Sequence, residues 1–225
     1  MKSKTIGILG LGSYSTLFYI EEVNALYNKK HKGFSTCPFK MLNTNFDEIN
    51  TLLPNTSDEL DRIVKIAIDE LINLGISSIL VPNITLHETI DRLEFKTKII
   101  HPVHCTLSEV ERNNHKKAVL FGSKYTMESD YIKLIFETKN IDILRPSEEE
   151  MLFIDHVRKQ VYLKLETEEM LGKLNGIINK YTKKNAVIIA CTELSVPLSK
   201  HKENVFDMAR IQIKYALKEI ELAIL

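Results

Sequence analysis

Short apolar runs recur along the chain at Thr5–Leu9, Phe39–Leu42, Ser78–Val81, Lys98–Ile100, Ala118–Phe121, Asp142–Leu144 and Ala186–Ala190. They are rich in Ile, Val and Leu without strict alternation, the pattern of parallel strands covered by helices on both faces. Longer stretches between them carry helical spacing. In Ser57–Leu74, residues Leu60, Ile63, Val64, Ala67, Ile68, Leu71 and Ile72 form one apolar stripe. Asp58 and Glu59 suit its first turn and Gly75 its end, although Leu60 stands where a capping box would have Glu. Glu150–Leu165, Glu168–Lys180 and Asp207–Leu222 read as further helices. Strands alternating with helices predict a doubly wound α/β fold with mostly parallel sheets.

The pattern repeats. Ile6–Gly10 (IGILG) resembles Ala118–Gly122 (AVLFG), and their final glycines are 112 residues apart. Ser78–Thr85 (SILVPNIT) resembles Ala186–Glu193 (AVIIACTE), which sets Asn83 opposite Cys191 at an offset of 108. Two signals in order at nearly one offset predict two similar halves of about 110 residues. Open parallel sheets bind ligands at the carboxyl ends of their strands. All four of these loops sit at such ends, so the halves are expected to face each other across a cleft that holds the active site.

Composition narrows the function. With 225 residues, 44% hydrophobic and 27% charged, the chain can build one large domain or two smaller ones. Thirty basic and thirty acidic residues cancel, which argues against a nucleic-acid partner bound by phosphate neutralisation. Three cysteines without CxxC spacing fit reduced thiols in a cytoplasmic protein better than a disulfide framework or a zinc site. The opening MKSKTIGILGLGS runs straight into glycines, unlike a signal peptide. No apolar run reaches the roughly 18 residues of a membrane span, so no membrane partner is expected.

Ala190-Cys191-Thr192-Glu193 follows the apolar run AVII, so its cysteine leaves a strand into a loop. A helix starting there is expected to draw the thiol down from about 8.5 toward the thiolate. Thr192 offers a hydroxyl to an anionic substrate, and Glu193 can orient a neighbour or meet an amino group. On the residues alone, a buried, inert cysteine fits as well. Gly10-Leu11-Gly12 covers part of the dinucleotide fingerprint, but Ser15 stands at the third glycine position. Amides at this turn suit a substrate carboxylate better. His87 is placed to orient the Asn83 loop or to serve as a cap or core histidine. His101, His104 and Cys105 are too sparse a set to predict a metal, and no metal or other cofactor is expected. Cys37 is expected to have no role, and Asn28–Lys32 reads as a solvated helix end.

Several motifs resemble one family. ACTEL (Ala190–Leu194) is similar to the GCTE-type motif that holds the second catalytic cysteine of aspartate and glutamate racemases. TIGILGLGS (Thr5–Ser13) resembles their opening strand and loop, IGILGGMGP. ILVPNITLH (Ile79–His87) is similar to the first-half motif, FGSKYT (Phe121–Thr126) to the GTxxT loop, and Val205-Phe206-Asp207 to the step before the last helix. The matches are in order from Thr5 to Asp207. The resemblance, to the Asp/Glu/hydantoin racemase superfamily, implies two similar three-layer α/β/α domains related by a pseudo-twofold. These would comprise residues 1–98 with 207–225, and 99–206. It implies a cofactor-independent isomerase of aspartate, glutamate or a related small acid, working as a homodimer. Carried over residue by residue, it makes Cys191 and Thr85 catalytic, with Asn83 at the first catalytic position. Gly10, Gly12, Ser13, Asn83, Thr85, Ser123, Thr126, Thr192 and Glu193 would bind substrate. Lys159 and Lys164 fall in a helix where the family supplies a basic residue to the second carboxylate.

One departure bears on mechanism. Asn83-Ile84-Thr85 stands where the family has Cys-Asn-Thr, and an amide cannot accept a proton at ordinary pH. Gly10-Leu11-Gly12 also replaces the family's paired glycines, a change expected to narrow the pocket. Three outcomes stay open: a one-thiol isomerase with Thr85 or water serving the other face, a single-cysteine decarboxylase of a malonate-type acid, or a small-acid binder without turnover.

Overall fold

The computed structural model describes residues 5–198 and 202–221. These fall into two compact units, one drawn from Met1–His101 with Gln212–Leu225 and the other from Pro102–Ile211.

The first unit runs β1 (Ile6–Gly10), α1 (Ser13–His31), β2 (Phe39–Asn43), α2 (Phe46–Asn50), α3 (Asp58–Asn73), β3 (Ser78–Leu80), α4 (His87–Ile90) and β4 (Lys98–Ile99). Its strands pair in the order β2-β1-β3-β4, and all three pairings are parallel. The second unit runs α5 (Pro102–Arg112), β5 (Lys117–Phe121), α6 (Lys124–Glu128), α7 (Tyr131–Glu137), β6 (Asp142–Leu144), α8 (Glu148–Leu163), α9 (Glu168–Thr182), β7 (Ala186–Ile189), α10 (Thr192–Ser195) and β8 (Val205–Asp207). Its sheet has the order β6-β5-β7-β8, again parallel throughout. The two sheets therefore repeat one topology, with β1 corresponding to β5 and β3 to β7. Helix α11 (Met208–Glu221) follows and belongs to the first unit from Gln212 onward.

The stripe on α3 behaves as its spacing predicts. Leu60, Val64, Ile68 and Leu71 are fully buried against Leu9, Ile79 and Val81 of the sheet layer. Ser57 caps the helix by accepting from the Leu60 amide at 3.2 Å, and Gly75 takes the left-handed backbone just past its end (φ 71°). Tyr19 of α1 and Gln212 of α11 are both buried and bonded to each other at 2.5 Å. Gln212 also donates to the Ile100 carbonyl at 2.6 Å, tying α11 to the end of β4.

Other boundaries differ from the sequence reading. Val205–Asp207 is a strand on β7, so the last helix starts at Met208 rather than Asp207, and its expected end at Leu222 lies outside the described residues. Helices α1 and α5 carry Ser15, Thr16 and Glu22, and Thr106 and Glu109, on their buried faces. Polar residues there break the apolar stripe that would have announced a helix. Among the described residues, no helix is long and apolar enough to cross a membrane.

Helix α8 begins two residues earlier than its apolar spacing suggests, because Ser147 and Glu150 form a capping box. Glu150 accepts from the Ser147 amide (3.2 Å) and hydroxyl (3.0 Å) and from the Tyr181 hydroxyl (2.6 Å) and Lys180 Nζ (2.8 Å) of α9. Burial pushes its pKa up, but these donors outweigh burial and hold the carboxyl at about 2, against an ordinary 4.5. A depressed carboxyl stabilises the fold above its unfolded pKa, and that stability is lost as pH falls through the folded value. Glu150→Gln should therefore lower the unfolding midpoint near neutrality. The gap to the unsubstituted protein should close between about pH 5 and about pH 2 in urea titrations.

Candidate active site

In each sheet one strand has neighbours leaving it in opposite directions: β1 lies between β2 and β3, and β5 between β6 and β7. Such a switch point opens a crevice at the carboxyl ends of the strands. The loops after β1, β3, β5 and β7 carry the residues singled out from sequence.

In the first unit, Gly10 packs so closely on β2 that a Cβ there would lie 2.5 Å from Asn43 Oδ1 and 3.2 Å from Asn43 Cα. Its carbonyl accepts from the Thr44 amide (2.9 Å) and hydroxyl (3.0 Å). The Leu11 amide donates to Thr16 Oγ1 at 3.0 Å, and Ser15 Oγ donates to the Gly12 carbonyl at 3.0 Å. The turn is thus laced by Ser15 and Thr16, which the sequence reading did not single out. The Leu11 amide, expected to face a carboxylate, is already engaged. Ser13 is the exposed first residue of α1.

After β3, Asn83 Oδ1 accepts from the Leu86 amide at 3.0 Å, and the Asn83 carbonyl accepts from His87 Nδ1 at 2.8 Å. His87 is fully buried, and burial lowers its pKa to about 3, so the ring is neutral and Nδ1 carries the proton given to that carbonyl. The Asn83 loop is therefore locally braced, with Thr85 half-buried beside it. His101, which sequence placed in a sparse metal-like set, has its Nε2 3.3 Å from Asp91 Oδ1.

In the second unit the β5–β7 ladder continues one step, with Ala190 N donating to the Phe121 carbonyl at 2.7 Å. A Cβ on Gly122 would sit 3.2 Å from the Thr126 side chain and 3.4 Å from the Ala190 carbonyl, so glycine lets the loop close on β7. Ser123 caps α6 by accepting from the Thr126 amide (3.1 Å), and the two hydroxyl oxygens are 2.8 Å apart. The structure thereby brings both predicted hydroxyls together.

Cys191 is extended (φ −154°, ψ 130°) at the start of the single-turn α10, and its thiol donates to Glu193 Oε2 at 2.7 Å. Thr192 is buried beneath them. Ser195 closes the turn, donating to Asp207 Oδ1 at 2.9 Å, and Asp207 also accepts from Arg210 N (3.1 Å) and Nη1 (2.7 Å). Asp207 ends β8 in register with Ile189, which anchors α10 to the sheet edge.

The basic residue at this site is Arg158. Its Nε donates to Asp155 Oδ1 at 2.9 Å, and Asp155 also accepts from Lys159 Nζ (2.7 Å) and the Lys124 amide (3.2 Å). Burial lowers the pKa of Arg158, but the negative charge of Asp155 and the one shared by the Cys191–Glu193 pair outweigh it and keep the guanidinium charged. Lys159 is 59% exposed and turned to Asp155, and Lys164 is the left-handed cap that ends α8. Arg158 was legible in one respect: it lies three residues after Asp155 and four after Ile154, on the buried face of α8.

The thiol itself differs from expectation. Burial pushes its pKa well above the ordinary range, the Glu193 carboxylate adds to that, and Arg158 pulls only partly against them. One turn of helix does not offset the loss of water around the sulfur. Cys191 rests as a protonated thiol.

No protein-family model and no curated protein sequence matches the chain. Solved structures do. A candidate Asp/Glu racemase of Yersinia pestis superposes with a TM-score of 0.84 at 21% identity, covering 97% of this chain and 99% of that one. An aspartate racemase homologue of Pyrococcus horikoshii OT3 gives 0.82 at 22% identity, over 97% and 99%. Picrophilus torridus aspartate racemase gives 0.78 at 19% identity, over 97% and 94%. At these identities the likeness is one of fold: two similar α/β units with the architecture found in Asp/Glu racemases.

A protonated, half-buried thiol should alkylate slowly near neutrality. In iodoacetamide rate–pH profiles read by peptide mass spectrometry, Cys191 should still gain rate where an ordinary thiol, at about 8.5, has levelled off. Arg158→Gln should slow it further. A plateau at or below the ordinary value would contradict this electrostatic picture.

Proposed function

We propose that the chain is a cofactor-independent, racemase-like isomerase acting at the α-carbon of aspartate, glutamate or a related small acid. Cys191 is its single thiol acid/base. The observation that carries this reading is the Cys191 thiol bonded to a carboxylate beside Arg158, at the carboxyl end of β7, in a fold shared with Asp/Glu racemases.

The chemistry follows from the groups. An α-proton is removed only if the carbanion formed is held as an enediolate, which needs a cation on the carboxylate in a water-poor site. Arg158 has the planar fork for a carboxylate, and Asp155 fixes its orientation. The reading assigns the remaining polar contacts to Gly10, Gly12, Ser13, Ser123, Thr126 and Thr192. Asn83 cannot take a proton, so exchange on the second face falls to Thr85 or a water. The free thiols Cys37, Cys105 and Cys191 fit a reducing compartment, and the reading takes the protein as a cytoplasmic homodimer.

A second reading draws on the same thiol. A sulfur held protonated is what a decarboxylase needs in order to give a proton to an enediolate once carbon dioxide has left. In that case a malonate-type acid is the substrate.

Proton NMR of L- and D-aspartate and glutamate in deuterated buffer decides between these. The isomerase reading predicts loss of the α-proton signal from at least one enantiomer, abolished by Cys191→Ser. No exchange in any of the four, with carbon dioxide released from a malonate, would replace it with the lyase. No turnover of either kind, with ligand-induced thermal stabilisation that survives Cys191→Ala, would leave a binding protein.

A further inference from the structure

We propose that Glu193 is a catalytic residue, the carboxylate that takes the Cys191 proton and returns it, so that thiol and carboxylate act as one acid/base pair at the end of β7. This rests on the isomerase reading and supplies what that reading lacks, a way for a protonated thiol to become a base.

The geometry is specific. Sγ and Oε2 are 2.7 Å apart, and the two residues share the first turn of α10, so the contact depends on no distant element. Charged groups on α8 and β8 fit the assignment. On α8, Arg158 feels the single negative charge of the Cys191–Glu193 pair, while Asp155 is occupied by Arg158, Lys159 and the Lys124 amide. On β8, Asp207 is taken up by Ser195 and Arg210. Glu193 is the carboxylate bonded to the sulfur.

Moving the proton within this pair leaves its total charge unchanged. Thiol with carboxylate and thiolate with carboxylic acid each carry one negative charge, which Arg158 faces in both states. In this half-buried site, transfer to bulk water would instead leave two anions side by side, a costly arrangement where protein replaces much of the water.

The step balances without any co-reactant. The Glu193 carboxylate forms an O–H bond with the thiol proton, and the S–H electron pair stays on sulfur. The thiolate then uses that pair to take the α-hydrogen, and the C–H pair is left as the enediolate. Reversal restores every bond. While the enediolate stands, the Glu193 O–H exchanges with solvent and trades its deuterium for the thiol hydrogen across the 2.7 Å contact, so the sulfur returns deuterium to the α-carbon.

Two readouts on Glu193→Gln move in opposite directions if this is right. Removing the negative charge beside the sulfur eases thiol ionisation, so alkylation of Cys191 near neutrality should speed up. Removing the proton acceptor should slow α-proton exchange by about 100-fold or more, with Glu193→Asp recovering part of the rate. Exchange that holds or rises together with alkylation would overturn the role of Glu193. Slowed alkylation would overturn the contact itself. Absence of exchange in the unsubstituted protein would overturn the isomerase reading, and the catalytic role of Glu193 with it. Unfolding would also expose the sulfur and speed alkylation, so Glu193→Gln must keep the circular dichroism spectrum and the urea unfolding midpoint of the unsubstituted protein for its loss of exchange to count.

Discussion

Every strand in both sheets runs parallel to its neighbours, and this constraint organises the rest of the structure. A parallel pair cannot be closed by a tight turn, so each strand is followed by a crossover, and all carboxyl ends gather on one edge. In the second unit that edge brings the Gly122 loop against Ala190 and sets Cys191 one residue past the last rung of the β5–β7 ladder. Because β8 pairs with β7 up to Asp207, the same edge also delivers the carboxylate that pins Ser195 and so fixes the turn on which Cys191 and Glu193 sit. The site geometry is thus a consequence of strand direction and register more than of any single contact.

Electrostatics at that edge are decided by burial. The start of a helix normally favours an anion, and the sequence around Cys191 invites that expectation. The helix is a single turn, however, and the half-buried thiol is crowded by protein atoms with a carboxylate beside it. Desolvation wins, and the thiol is neutral at rest. Arg158, itself held by Asp155, supplies the balancing charge from α8. The site is set up to hold one negative charge that a proton can move within, a different arrangement from a free thiolate waiting for substrate.

Much of the fold was legible because the signals were local. The runs IGIL, AVLF and AVII needed no partner to be read as buried strands, and the α3 stripe needed only its own spacing. Helices α1 and α5 were hidden because polar side chains such as Thr16, Glu22 and Thr106 occupy their buried faces. β8 was hidden because it is three residues long with only Phe206 buried. The site divides in the same way. Cys191, Glu193, Ser123 and Thr126 could be read from loops at strand ends. Arg158 could not be tied to them, because it reaches the thiol from α8, well before β7 in the chain. The charge state of Cys191 was misjudged for a related reason: motif and helix position are local, but the exclusion of water is a property of the whole unit. Asn83 was read by its missing thiol, while the structure shows what the amide does, which is to cap its own turn.

The central claim is that a small acidic substrate sits over Cys191 with a carboxylate on Arg158. Substrate protection of thiol alkylation, mapped by peptide mass spectrometry, tests it most directly. Saturating L- or D-aspartate or glutamate should slow iodoacetamide labelling of Cys191 while leaving Cys37 and Cys105 unchanged, and Arg158→Gln should remove that protection. Equal labelling of Cys191 with and without every such acid, or protection that persists without the Arg158 guanidinium, would contradict the account.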